Sequence, residues 1–274
     1  MVLLLKFLLA PLLVVASTLA GRRWGPRVAG LLVTFPIVAG PILLITCLDH
    51  GTAFGARAAS ASLLGLITLA LFAVVYAYAG RRYGWFPALA VAWLANLAGD
   101  ALLAQLTLSA WAAFPLVAVA IWLAYRAVTA IDRPETAPRP AAPPWWDLPA
   151  RAVTTAALVV TVTSAADALG PTITGILAPF PIATSVVTAF VRAQQGPAAT
   201  IRTLTGVTRG LTGFAVFCFL VAVLLGPLGT APAFGLALLG AVATPLLLGA
   251  RRPGRPPTAP APSDAALSTN PGDR

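Results

Sequence analysis

The chain has 274 residues, 59% of them apolar and 9% charged, with a mean hydropathy of +0.88. That composition excludes a soluble globular domain and points to an integral membrane protein. The formal net charge of +10 would suggest a nucleic-acid partner in a soluble chain, but the arginines lie between apolar segments, where they read as orientation signals.

Residues 2–20 (VLLLKFLLAPLLVVASTLA) resemble a secretory signal with Lys6 as a weak basic start. The same pattern returns at 147–165, where Arg151, Leu158, Val159 and Thr163 match Lys6, Leu13, Val14 and Thr18, so the segment is read as a retained helix 1. Helix 2 is expected over 27–48, helix 3 over 58–79, helix 4 over 85–104 and helix 5 over 110–128, each near the ~20 residues that cross a ~30 Å hydrocarbon core. As one helix, 85–128 would be about twice that thickness, so the polar run Gln105, Thr107, Ser109 is taken as a turn. The Pro-rich stretch 132–147 forbids a continuous helix and is read as a solvated linker, with Trp145 and Trp146 at the membrane interface. Helix 6 follows at 149–167, helix 7 at 171–190, helix 8 at 204–225 and helix 9 at 229–249. From Arg251 the tail is rich in Pro, Ala, Ser and Thr, a composition expected to be disordered.

The match between 2–20 and 147–165 belongs to a longer one. Residues 25–37 (GPRVAGLLVTFPI) and 170–182 (GPTITGILAPFPI) share seven of thirteen positions at a constant offset of 145. The register continues ungapped through Gly51/Gly196, Arg57/Arg202, Gly65/Gly210 and Phe72/Phe217. Pairing Gly, Pro and Arg in one register marks an internal duplication. The division expected is repeat 1 at 1–106, helix 5 and the linker at 107–148, repeat 2 at 149–250 and the tail at 251–274.

With nine crossings, sixteen arginines fall on one side of the membrane, and only Lys6 and Arg57 on the other. By the positive-inside rule the N-terminus is outside and the C-terminus cytoplasmic. If the Phe-Pro of helix 7 turned the chain back without crossing, Arg192, Arg202, Arg209 and Arg251 would change sides, which argues against a re-entrant segment. The fold expected is an all-α, multi-pass membrane protein of about nine transmembrane helices. Two four-helix repeats flank one extra helix, so the second copy enters from the opposite face. Inverted-topology repeats of this kind are common in secondary transporters, where the halves exchange conformations around a central site.

Phe35-Pro36 and Phe180-Pro181 fall about ten residues into helices 2 and 7, near mid-depth. Proline there removes a backbone hydrogen bond and frees a carbonyl, which suits a substrate site and equally suits a packing kink between close helices. Asp100 is the one acidic residue deep in an expected span, with Asn96 one turn before it and Trp93 a turn earlier. It is a candidate for proton coupling or substrate contact. The alternative is that helix 4 ends near Gly99 and leaves Asp100 in water. The second copy has Pro245 at that position, so the role would belong to one half. Arg57 and Arg202 open helices 3 and 8, either as helix-end anchors or as contacts to an anionic headgroup or substrate. Asp49-His50 reads as a surface loop pair. Cys47, Cys218 and His50 make no metal spacing, no cofactor motif is present, and no set of nucleophile, base and orienting group points to an enzyme.

At Ala29-Gly30-Leu31-Leu32-Val33-Thr34-Phe35-Pro36, followed by Gly51 and Arg57, the chain resembles the GlpM family of small bacterial inner-membrane proteins. Residues 174–181 with Gly196 and Arg202 look like the same pattern again, with Thr in place of Ala. The resemblance implies a fused pair of single-repeat proteins in a bacterial inner membrane and carries over no catalytic residue. Together these readings lead to a secondary transporter or flippase-like carrier, with its site at the broken helices 2 and 7. Few buried charges favour a small neutral, amphipathic or lipid-like substrate. The alternative is a non-transporting membrane scaffold whose working surface is the Arg-rich side.

Overall fold

A computed structural model describes residues 2–36, 39–106, 108–132, 143–169 and 180–250. All regular structure among them is helical: α1 Val2–Trp24, α2 Pro26–Val33, α3 Ala39–His50, α4 Thr52–Arg82, α5 Trp85–Leu103, α6 Ala110–Ala130, α7 Asp147–Leu169, α8 Ile182–Leu228 and α9 Thr230–Ala250. Five of these, α4, α5, α6, α8 and α9, are long and apolar enough to cross a membrane. The protein is therefore all-α, with several helices of membrane-spanning character. The tail, most of the linker, residues 170–179 with Pro171 and Gly175, and the side chain of Lys6 lie outside the described residues.

The breaks follow from glycine and proline. Gly51 (φ 86°, ψ 165°) precedes α4, and Gly196 (φ 83°, ψ −175°) interrupts α8, both in a region of backbone space that L side chains rarely adopt. The Phe-Pro sites also resume alike. Gly40 N–H donates to the Pro36 carbonyl at 2.8 Å, and Ser185 N–H donates to that of Pro181 at 2.8 Å. Both pairs of donors and acceptors stand 145 residues apart.

Two expected boundaries change. Residues 27–48 form two helices, α2 and α3, separated at Thr34–Pro36. The span labelled α8 is two helices that meet in a kink at Gly196, in keeping with separate helices 7 and 8, and residues 171–179 of the expected helix 7 lie outside the described residues. The helices expected from 58 and 204 begin instead at 52 and 197, so Arg57 and Arg202 lie more than a turn inside them. Apolarity ends at an arginine, but backbone hydrogen bonding does not, because the long side chain can carry its charge to the surface.

α8 is the hub, packing against α1, α2, α4, α5, α6, α7 and α9. α4 runs antiparallel to α8 taken as a whole: Gly55 near the start of α4 faces Leu225 near the end of α8, and Gly80 near the end of α4 faces Arg192, just before the kink. α5 lies on α4, α9 on α8, and α6 bridges α4 and α8. α2 approaches α8 at backbone contact. A methyl added to Gly30 would strike the Thr203 carbonyl, and one added to Gly206 would strike that of Arg27. In lipid, where burying apolar side chains between helices gains little, small residues that admit close approach supply the packing. Hydroxyls are satisfied locally, as Thr200, Thr203 and Thr205 each donate at 2.9 Å to the carbonyl four residues back.

Candidate functional site

Trp93, Asn96 and Asp100 occupy one face of α5, turned toward α4 and the first arm of α8. α5 continues to Leu103, so Asp100 is inside the helix and only 5% exposed, and the wet helix end is ruled out. Asn96 Nδ2 donates to Asp100 Oδ2 at 2.6 Å. Buried Thr68 on α4 lies against Gly99, beside Asp100. Asn96 is fully buried, and its Oδ1 has no hydrogen-bond partner among the described residues. A turn away, Trp93 Nε1 donates to Ser185 Oγ at 2.8 Å, and the Trp93 ring meets Phe180 with centroids 5.3 Å apart. The second Phe-Pro break is thus brought onto the polar face of α5.

The arrangement is chemically specific. A carboxylate at Asp100 is held by the Asn96 amide. A protonated carboxyl could donate to an acceptor, and the partnerless acceptor nearby is Asn96 Oδ1, reachable by turning the amide over. Protonation of Asp100 thus adds a donor that the Asn96 Oδ1 could accept if the amide turned, while the carboxyl's other oxygen can still accept.

The first break is placed differently. Pro36 is buried and Phe35 half-buried, packed with α2 against α8, where Thr34 Oγ1 donates to the Leu31 carbonyl at 2.9 Å beside Gly210. No hydrogen bond or ring contact joins Phe35 to Asn96 or Asp100 among the described residues. At the positions equivalent to Trp93, Asn96 and Asp100, α9 has Leu238, Ala241 and Pro245, with the Ala241 carbonyl, four residues before Pro245, seated against Gly213. The polar face of α5 is not repeated at the 145-residue offset in α9. Arg57 is exposed and Arg202 half-buried, and they sit toward opposite ends of the antiparallel α4/α8 pair, on the order of 35 Å apart at 1.5 Å per helical residue.

Sequence reasoning missed a second polar cluster. Asp147, at the start of α7, accepts from Arg22 Nη2 at 2.6 Å, from Arg151 Nε at 2.9 Å and from Gln194 Nε2 at 2.6 Å. Asp147 and Arg151 are each 1% exposed. The Arg151 guanidinium lies over the Phe190 ring at 4.8 Å. The cluster ties the ends of α1 and α7 to the first arm of α8. The only sequence signal was the match of Arg151 to Lys6, which says nothing of partners 125 and 47 residues from Asp147. Burial alone would raise the Asp147 carboxyl above its ordinary value. The Gln194 hydrogen bond, the Arg151 charge and the Arg22 and Arg151 hydrogen bonds outweigh it and hold the carboxyl below that range. Nearby, Arg27 pairs with Asp132 at 2.6 Å, and Arg192 donates to the Gly80 and Tyr83 carbonyls at 2.6 and 2.9 Å. Arg22, Arg27, Arg151 and Arg192 thus gather at one end of the bundle.

Comparison with protein-family models, with curated proteins and with solved structures finds no match to this chain.

Proposed function

We propose that the chain is a secondary transporter or flippase-like carrier of a small neutral, amphipathic or lipid-like substrate, built from two inverted repeats of a GlpM-like unit. The observation that carries this is the face of half-buried Trp93 and buried Asn96 and Asp100, laid against the Phe180-Pro181 break. An intramembrane carboxyl with a partnerless acceptor beside it suits binding coupled to a proton, because protonation adds a donor that the Asn96 Oδ1 can accept. Support for inversion comes from α4, which runs antiparallel to α8 taken as a whole and whose equivalent sequence positions form the 197–228 arm of α8; the matching backbone at Gly51 and Gly196 supports the repeat itself. On this reading the Arg-rich end is cytoplasmic in a bacterial inner membrane, with the N-terminus outside.

Asp100→Asn keeps the side-chain shape and removes the titratable proton. It is expected to abolish the phenotype that the wild-type gene restores to a deletion strain, at unchanged membrane abundance. Loss of phenotype only in proportion to lost abundance would leave Asp100 a structural residue. Topology is tested by single cysteines at 57 and 202 in a background lacking Cys47 and Cys218, labelled from outside intact cells. Labelling at 57 alone is expected, whereas equal labelling at both positions would remove the inverted arrangement.

A non-transporting scaffold is the second reading, favoured by the enclosure of Asn96 and Asp100 and by the ordered charges at the Arg-rich end. It predicts that Asp100→Asn is silent and that substitutions on the charged end abolish the phenotype.

A further inference from the structure

Between α2, α6 and α8 lies a cleft of about 160 Å³ that the transport reading does not use and on which it does not depend. Its walls combine two guanidinium groups, Arg27 and Arg209, with the apolar Leu31, the ring of Tyr125 and the bare backbone at Gly206. Arg27 spends one Nη2 donor on Asp132. Arg209 is half-buried and hydrogen-bonds a neutral group: Nη2 donates to the Pro245 carbonyl at 3.0 Å. No acidic side chain pairs with Arg209 among the described residues. A guanidinium has five donors, and one that is partly withdrawn from water without a counter-charge sets up a site for an anion.

The surroundings select the kind of anion. The cleft is well under the roughly 300–1,000 Å³ of sites that enclose a small-molecule ligand, so it can take a phosphate group but not a whole amphiphile. One flank is α6, where Trp122 and Leu123, in the turn before Tyr125, are exposed as lipid-facing residues would be. Arg27 stands at the bundle end that gathers the paired arginines, where a headgroup phosphate would lie. Basic pockets between helices at that level bind anionic headgroups while the acyl chains lie along apolar helix faces outside. The residues equivalent to Arg27 and Arg209 in the other half are Thr172 and Leu64, so the site occurs once.

We propose that Arg27 and Arg209 bind the phosphate of an anionic phospholipid headgroup in the cleft between α2, α6 and α8. The test is native mass spectrometry of the full-length detergent-purified protein with added phosphatidylglycerol or phosphatidylcholine. Wild type is expected to retain phosphatidylglycerol preferentially. Arg209→Gln should lower that retention by about fivefold, the effect of one basic residue near headgroups. Arg27→Gln, whose side chain is 58% exposed, gives a second variant that is not needed for packing and should show a similar loss in protein that remains folded. Arg82→Gln, exposed at the end of α4, lowers net charge equally and should retain lipid as wild type does. Equal retention of the two lipids, or undiminished phosphatidylglycerol on Arg27→Gln and Arg209→Gln, would overturn the proposal. So would thermal protection by inorganic phosphate equal to that by phosphatidylglycerol, which would make the ligand a soluble anion.

Discussion

Replacing Asp147 with alanine is expected to destabilise the protein by roughly 3–5 kcal/mol, the usual cost of leaving a buried charge without its partner. The substitution strips the counter-charge from Arg151, which is 1% exposed, and from Arg22, and removes the acceptor of Gln194. Two guanidinium groups would then face each other across the junction of α1 and α7. Measured as the thermal midpoint of the purified protein in detergent, the loss is a large part of an ordinary domain's stability of about 5–15 kcal/mol. A paired Asp147→Leu, Arg151→Met change should recover much of it, since apolar replacement of both partners is often neutral. If the double variant is no more stable than Asp147→Ala, hydrogen-bond geometry rather than stranded charge holds the junction.

The same carboxyl sets a pH dependence. Its folded-state pKa is lowered, so its contribution is fully present above the unfolded carboxylate value of about 4 and is lost as pH falls through the folded value. Wild type should therefore lose stability on acidification below that range, while Asp147→Asn, already lacking the contribution, should show a flatter profile there. Parallel profiles would assign the acid sensitivity to other groups.

Substitutions at the α2/α8 contact form the second large effect. Gly30→Ala and Gly206→Ala each place a methyl against a backbone carbonyl, of Thr203 and Arg27 respectively, and a carbonyl cannot rotate away as a side chain can. The two helices must separate, at a cost expected to reach the upper end of the 1–3 kcal/mol typical of overpacking, about 3 kcal/mol for each. Leucine at either position should leave little folded protein at the membrane. Gly226 and Gly235 are the controls, because a methyl there meets nothing within 4 Å. Alanine at these helical positions should be neutral or stabilising by up to about 1 kcal/mol. Equal losses at all four sites would mean that glycine serves helix flexibility here, not close packing.

Much of the local structure was legible in the residues. The apolar runs, the interruption at Phe35-Pro36 and the recurrence of Gly51 at Gly196 are consequences of side-chain hydropathy, of proline's missing donor and of glycine's backbone freedom, which act within a few residues. Helix starts at 52 and 197 were misplaced because Arg57 and Arg202 end an apolar window without ending a helix. The candidate site was half legible. Trp93, Asn96 and Asp100 declare themselves by sharing one face of an apolar helix, whereas Ser185 is unremarkable until packing brings it to 2.8 Å from Trp93 across 92 residues.

By itself, then, the sequence determined the helical membrane character, the positions of the main breaks and the 145-residue register in which Gly51 and Pro36 recur as Gly196 and Pro181. Tertiary structure alone decided which helices touch: Gly30 on Thr203, Trp93 on Ser185, Asp147 among Arg22, Arg151 and Gln194. The physical reason is that nearly every face of these helices is apolar, so hydropathy does not say which face is buried. Partner choice then rests on where backbones can come close and where a few polar groups can satisfy one another, and both are properties of the assembled bundle.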